Sequence, residues 1–186
     1  MINTFHISDA PLQEIKTWIR NNAYGKHKEN YQNIKFDKGY IGISTERIYN
    51  NITCVSSVYT RDYYPEGCVR IWNRWIATRK IGGKKSSILS DRAITMANQQ
   101  IALASVLGYE SFFITYHSYI PKFCNKLTEL LNDKTSFNWK HAEFVKVTPS
   151  CNKNSFQHFI YTGEEKKLEY LINTKIDNIT WRKLWD

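Results

Sequence analysis

A basic, glycine-containing loop holds the residues of this chain that are best suited to chemistry. It reads RKIGGKKSS, residues 79–87, and lies between an aromatic, strand-like run at 69–78 and a helix-like pattern that ends at Gly108. Backbone N–H groups of glycines can approach a ligand closely, and the start of a helix attracts anions. The sequence therefore predicts a phosphate-binding loop between a strand and a helix.

The loop does not match that of a nucleoside-triphosphatase. The Walker A pattern opens with a glycine and has Ser or Thr after its lysine, whereas this chain has Thr78 and Lys85 at those positions. That class of enzyme is excluded.

The strand before the loop offers a second candidate site. Alternate side chains of a strand share a face, so Arg70, Trp72 and Arg74 lie together. Two guanidinium groups beside an indole suit a phosphate, a carboxylate or a stacked base. The alternative is that these arginines pair with surface acids such as Asp62 or Glu66.

The elements that position these residues predict one domain with a mixed sheet. A meander of three antiparallel strands is followed by a strand-helix-strand unit and a closing hairpin. Apolar residues at steps of three and four predict the central helix, at Ile94, Ala97, Ile101 and Ala104. The first predicted elements are a strand at 4–7, a helix from Pro11 to about 21–25, and strands at 38–45, 51–60 and 69–78, with a turn at ERIYNN between the first two of these strands. A helix that ends at Gly108, a strand at 111–117 and a helix at 118–132 follow, and the apolar stripe of that last helix is Ile120, Phe123, Leu127 and Leu130. The remaining elements are strands at 138–147 and 156–162, a helix at 164–171, and a last segment near 179–185 that docks by its indoles.

The bulk composition predicts a folded, basic protein. Its 186 residues are 42% hydrophobic and 15% aromatic, enough to form one core, and the net charge of +9 favours phosphate-rich or polyanionic partners. A solubilising surface explains the same charge.

The cysteines and the N-terminal residues predict a cytoplasmic protein with reduced thiols and no metal. Cys54, Cys68, Cys124 and Cys151 form no CxxC pair and no Cys/His group at zinc spacing. The polar start of the sequence is not a signal peptide, and no apolar run is long enough to span a membrane.

The order of elements, together with the loop, resembles the GNAT superfamily of acyl-CoA-dependent N-acyltransferases over residues 4–163. The family's loop follows R/Q-x-x-G-x-G/A, which Arg79 and Gly82 match, while Lys84 stands where a small residue is usual. The resemblance implies a mixed, mostly antiparallel sheet flanked by helices in a GNAT-like domain, 1–163, with a helical extension, 164–186, packed on it. It also implies acetyl-CoA or another acyl-CoA as co-substrate.

The resemblance further implies a cofactor site. The loop and the helix after it would hold the pyrophosphate of coenzyme A, the strand before it would align the thioester, and the Arg70–Trp72–Arg74 face would contact the substrate. The implied cofactor-binding residues are Ile76, Thr78, Arg79, Gly82, Gly83, Lys84, Ser86 and Ser87.

A catalytic acid is implied after the fifth strand, where the family carries a tyrosine that protonates the departing thiolate. The sequence FCNKL, 123–127, looks like the family's LYEKL, which puts Cys124 at the acid's position and His117 at that of a family asparagine. Tyr119 is an alternative donor. Core packing of Cys124 and a structural role for His117 are the alternatives. No role is predicted for the other histidines, His6, His27, His141 and His158.

Three functions stay open. The first is acyl transfer to an amine by direct attack, with Glu46, Asp62 and Glu66 among the candidate bases. The second is a non-catalytic GNAT-like module that binds nucleic acid or a protein, favoured by the departures at Lys84, His117 and Cys124. The third is a phage-type DNA-base modification enzyme similar in layout to the Mom type, favoured by the charge, by aromatic side chains that can stack on bases, and by a Lys-, Asn- and Ile-rich composition that suits an AT-rich viral genome.

Overall fold

The computed structural model describes residues 1–22, 35–36, 39–72, 91–116, 121–147, 155–174 and 180–183. Its strands and helices confirm the predicted mixed α/β fold with a mostly antiparallel sheet. In chain order they are β1 Ile2–His6, α1 Leu12–Asn22, β2 Tyr40–Ile48, β3 Asn51–Tyr59, β4 Cys68–Trp72, α2 Asp91–Val106, β5 Ser111–Tyr116, α3 Pro121–Lys134, β6 Lys140–Val147, β7 Ser155–Tyr161, α4 Glu165–Thr174 and β8 Thr180–Lys183.

The chain forms two compact units. The first unit comprises residues 1–61 and 71–108, and the second comprises 62–70 and 109–186. The strand order is β1-β2-β3 in the first unit and β4-β5-β7-β6-β8 in the second.

The three strands of the first unit form the predicted antiparallel meander, with a tighter turn than the sequence indicates. The predicted turn began at Glu46, but β2 continues to Ile48 and β3 begins at Asn51. Tyr49 and Asn50 alone make the turn, with φ of 50° and 69°. Two left-handed residues match the twist of the flanking strands, so the shorter loop is favoured.

The two faces of this meander are covered by different helices. On one face, Ile15 and Ile19 of α1 pack with Ile43, Ile52 and Val55. On the other face lies α2, whose predicted apolar seam is buried and which is followed by Gly108 at the predicted left-handed φ of 91°. Gly42 permits this close approach, because a Cβ there would lie 2.4 Å from Cδ2 of Leu103.

The second unit begins with the predicted parallel pair. Residues 68–70 of β4 pair with residues 111–113 of β5, while β5, β7, β6 and β8 pair in antiparallel fashion. Helix α3 contacts β6 and β7. Its buried face is Cys124, Leu127 and Leu131, one residue away from the predicted stripe, so Phe123 and Leu130 are only half-buried.

The C-terminal segment contains more than the predicted helix. Helix α4 buries Leu168, Leu171 and Ile172, and after it β8 adds to the edge of β6. The division of the chain at residue 163 stays a prediction. Across the described ranges, no helix combines the length and the apolar character needed to cross a membrane.

Candidate functional site

Most of the predicted site residues lie outside the described part of the chain, so their predicted roles stay predictions. Arg70 and Cys124 are the two whose side chains are described, while Trp72 is described by its backbone in β4. The residues outside the description are Arg74, Ile76, Thr78, Arg79, Gly82, Gly83, Lys84, Ser86, Ser87, His117 and Tyr119.

Arg70 is held by its neighbouring strand. It is the register partner of Phe113, so Thr115, two residues further along β5, lies on the same face. The Nη2 group of Arg70 donates a hydrogen bond to Oγ1 of Thr115. The guanidinium of this half-buried arginine therefore has a defined orientation in the second unit.

Glu46, one of the candidate bases, is engaged in structural contacts. Its side chain is buried in β2, where Oε1 lies 3.0 Å from Nε of Arg92 and Oε2 accepts a hydrogen bond from Oγ1 of Thr53 at 3.1 Å. A base must reach the proton it removes, and a carboxylate committed in this way cannot do so without losing its partners. Asp62 and Glu66 are exposed.

A row of polar side chains, which we call the polar seam, lies between α2 and the meander. It consists of Thr4, Ser44, Ser56, Gln99 and Gln100. Oγ1 of Thr4 donates to Oε1 of Gln99 at 3.0 Å and lies 2.6 Å from Oγ of Ser44, which must then be the donor to Thr4. Oγ of Ser56 donates to Oε1 of Gln100 at 3.4 Å. The seam is thus largely hydrogen-bonded within itself.

A second polar group, the Cys-His-His cluster, comprises Cys124 of α3, His141 of β6 and His158 of β7. The sulfur and one nitrogen of each ring lie within 4.8 Å of one another. Nε2 of His141 is 3.0 Å from Nδ1 of His158, and Nδ1 of His141 is 2.8 Å from Oδ1 of Asn125. Soft sulfur and imidazole nitrogen are the donors that Zn²⁺ prefers.

Strand register explains why these residues meet. His141 pairs with Ile160 and Glu143 with His158, so both histidines and Glu143 project from the same face of the β6–β7 hairpin. Helix α3 covers this face and brings Cys124 to it. The sequence reading missed the cluster because its members are far apart along the chain and meet only through this register.

Burial governs the protonation of two cluster members. Burial, together with the nearby Glu143 carboxylate, raises the pKa of the Cys124 thiol to about 12. Burial, together with neighbouring His158, lowers the pKa of His141 to about 4. At neutral pH the thiol is protonated and His141 is uncharged.

The hydrogen bonds of the cluster leave two buried atoms unmatched. Oδ1 of Asn125 can only accept, so Nδ1 of His141 carries the ring proton and Nε2 accepts from Nδ1–H of His158. Nε2 of His158 and Oε1 of Glu143 are then buried without a hydrogen-bond partner in the described residues. Unmatched buried groups of this kind are rare and call for an explanation.

The predicted role of Cys124 as a catalytic acid stays untested, but its surroundings oppose it. Its side chain is fully buried, with 0% exposure. A thiol of pKa about 12 is a weaker acid than a free thiol of pKa about 8.5, so giving its proton to a released thiolate would cost about 5 kcal/mol.

The fold is similar to that of solved N-acyltransferases. The ribosomal-protein-S18-alanine N-acetyltransferase of Escherichia coli has a TM-score of 0.52 at 6% identity and covers 88% of this chain and 96% of its own. A protein classed as a GNAT-family acetyltransferase from Desulfovibrio desulfuricans gives 0.51 at 12%, with 86% and 98% covered. An acyl-CoA N-acyltransferase from Pseudomonas aeruginosa gives 0.52 at 8%, with 88% and 99% covered.

At these low identities the likeness shows the fold, which is the GNAT-like fold that the sequence predicts. No protein-family model matches the chain, and no curated protein matches it.

Proposed function

We propose that the chain is an N-acyltransferase that moves an acyl group, most simply acetyl, from acyl-CoA to an amine. The observation that carries this proposal is the likeness of fold along 88% of the chain to two proteins that are N-acyltransferases by name. The basic loop at 79–87, between β4 and α2, supports the proposal, since it lies where the family resemblance puts the pyrophosphate of coenzyme A.

In the proposed reaction the amine nitrogen attacks the carbonyl carbon of the thioester, and the carbon–sulfur bond breaks. The departing thiolate takes a proton from a general acid, and the amine loses one to a base. We assign the acid to Tyr119, because Cys124 is buried and weakly acidic. We assign the pyrophosphate to Arg79, Gly82 and the loop amides.

Arg70 has a supporting place in this proposal. Its hydrogen bond to Thr115 fixes the guanidinium on the face that it shares with Trp72 and Arg74 in the strand pattern. A fixed guanidinium binds an anionic group at lower entropic cost than a free one. We propose that it contacts the phosphate or carboxylate of a substrate.

Calorimetry with coenzyme A tests the binding part of this proposal. We expect one site per chain, and we expect Arg79→Ala to weaken it about tenfold or more, since a hydrogen bond to a charged group contributes about 1.5–3 kcal/mol. Lys122→Ala, an exposed lysine of α3, is the matched control. An absence of binding up to millimolar coenzyme A would overturn the proposal.

Release of free coenzyme A thiol from acetyl-CoA in the presence of amines tests the chemical part. Tyr119→Phe should lower the turnover rate about 100-fold or more and leave coenzyme A binding intact, because a general acid acts on the leaving thiolate. Tyr49→Phe, at a tyrosine that is 92% exposed, should change neither. An unchanged rate in Tyr119→Phe would remove the tyrosine from the mechanism.

A further inference from the structure

We propose that the Cys-His-His cluster is a zinc site, in which Sγ of Cys124, Nε2 of His141 and Nδ1 of His158 bind one ion. The site lies within the second unit and does not depend on the proposed acyl transfer. It fixes α3 to the β6–β7 hairpin through an ion rather than through hydrocarbon packing alone.

The distances between the donor atoms suit a tetrahedral ion after a small closure. Bonds of 2.0–2.1 Å to nitrogen and 2.3 Å to sulfur give a tetrahedron with edges of about 3.3 Å between nitrogens and about 3.6 Å between sulfur and nitrogen. Nε2 of His141 and Nδ1 of His158 are 3.0 Å apart, and the sulfur and one nitrogen of each ring lie within 4.8 Å of one another. Shifts of about 1 Å therefore complete the site.

Asn125 already orients one ligand. Its Oδ1 accepts the Nδ1–H of His141 at 2.8 Å, which leaves the lone pair on Nε2 directed toward the cluster. A hydrogen bond to the remote nitrogen is the usual way in which a metal-binding histidine is fixed in tautomer and ring orientation. Asn125 is thus a positioning residue for the ion.

The unmatched buried groups provide an independent argument for an ion. Glu143 is 3% exposed, lies opposite His158 in the strand register, and has no partner for Oε1 among the residues that the structure describes. A buried carboxylate without a countercharge is costly. Zn²⁺ carries two positive charges, and these balance one thiolate at Cys124 and one carboxylate at Glu143.

The proton balance of binding is simple. As the sulfur–zinc bond forms, the proton of Cys124 leaves to solvent, and zinc keeps the thiol ionised despite its burial. The ion takes the Nδ1 position of His158, so the proton on that ring is carried by Nε2. Three protein ligands leave one position for water.

The solvent-facing edge of the site is formed by His141 and Asn125. Cys124 and His158 are buried with 0% exposure, but His141 is partly exposed and Asn125 is exposed. An ion would reach the donor atoms from this edge.

Cobalt titration of the purified chain tests the proposal, because the absorption spectrum of bound Co²⁺ depends on the ligands that hold it. We expect one ion per chain, displaceable by Zn²⁺, with a thiolate-to-cobalt charge-transfer band in the near ultraviolet. Cys124→Ser should abolish the band, and Cys68→Ser, at a buried cysteine of the same unit, should retain it. Millimolar affinity, or a band that survives Cys124→Ser, would overturn the zinc site.

A second variant avoids any doubt about folding, because it changes an exposed side chain. Asn125→Ala should weaken zinc binding about 10–100-fold, as the loss of a hydrogen bond to a metal-binding histidine does. Lys126→Ala, at its exposed neighbour in α3, should leave zinc affinity unchanged. Equal affinities in the two variants would contradict His141 as a ligand held by Asn125.

Discussion

Two carboxylates, Glu46 in the first unit and Glu143 in the second, are buried to the same extent, with 3% exposure each, yet their surroundings differ. Both project from a strand toward a covering helix. Glu46 meets the guanidinium of Arg92 and the hydroxyl of Thr53. Within the described part of the chain, Glu143 has an oxygen with no hydrogen-bond partner, and its register partner His158 has a nitrogen with none.

The difference between Glu46 and Glu143 shows that buried polar side chains can have a structural role in one unit and be suited to binding a ligand in the other. The polar seam of the first unit consists mostly of groups that satisfy one another, and Nε2 of Gln100 is a neutral atom with no hydrogen-bond partner in the described residues. A neutral amide without a partner costs about 1–3 kcal/mol, and a carboxylate costs more. Of these two carboxylates, Glu143 is the one for which the described residues provide no positive charge, as they do for Glu46.

The largest change in the free energy of unfolding is expected when the paired carboxylate, Glu46, loses its partner. Arg92→Ala leaves Glu46 buried without its countercharge and should lower the free energy of unfolding by about 3 kcal/mol. This value is at the lower end of the range for a broken buried ion pair, because Arg92 is itself half exposed. Urea denaturation measures this change. Arg20→Ala, at an exposed arginine of α1, is the control and should stay within about 0.5 kcal/mol of the unmodified chain.

A change of the opposite sign in the free energy of unfolding is expected when the carboxylate of Glu143 is replaced. In zinc-free protein, Glu143→Gln should raise the free energy of unfolding by about 1–2 kcal/mol, because it replaces a buried carboxylate, one oxygen of which has no hydrogen-bond partner among the described residues, with a neutral amide. Glu46→Gln, the matched change in the first unit, should lower it, since the ion pair with Arg92 is lost. Destabilisation by both changes would remove the contrast between the two sites.

The same variant separates stability from binding. Glu143→Gln should weaken zinc binding while it stabilises the zinc-free chain, since the carboxylate balances the charge of the ion. Denaturation with and without added Zn²⁺ measures both quantities. Equal stabilisation by zinc in the two proteins would show that Glu143 does not face the ion.

Much of the fold could be predicted from the sequence, because helical and strand periods determine which residues are buried. The seam of α2 and the left-handed Gly108 follow directly from such spacing. The stripe of α3 was misplaced by one residue because Leu127 belongs to both possible faces. Contact with β6 and β7 decides between them, and no periodicity contains that information.

The candidate site was harder to predict, because it depends on register. A slip of one residue between β6 and β7 would turn His158 away from His141, and nothing in the local sequence determines that pairing. The loop at 79–87, in contrast, is recognisable by local sequence alone, and its role stays a prediction.

A smaller change in the free energy of unfolding is expected when a hydrogen bond of the polar seam is removed. Ser44→Ala removes the donor to Thr4 and should lower the free energy of unfolding by about 1 kcal/mol, as the loss of one buried hydrogen bond does. Ser136→Ala, at an exposed serine after α3, should have no measurable effect. A loss of 3 kcal/mol or more at Ser44 would mean that the seam acts as one cooperative network.

The smallest effect is expected where a carboxylate is paired but exposed. Glu14 of α1 binds Arg47 through two contacts of 2.7 and 2.8 Å, yet its side chain is 50% exposed. The hydrogen bond from Arg47 lowers the pKa of Glu14 below 4.5, so the contribution of the pair is present above that pH and disappears as the pH falls through the lowered value. Glu14→Gln should therefore cost less than about 1 kcal/mol at pH 7, and the cost should shrink as the pH falls below 4.5, when unfolding is followed in urea at a series of pH values. A cost at pH 7 as large as that of Arg92→Ala would show that pairing geometry, rather than burial, determines what a carboxylate contributes in this protein.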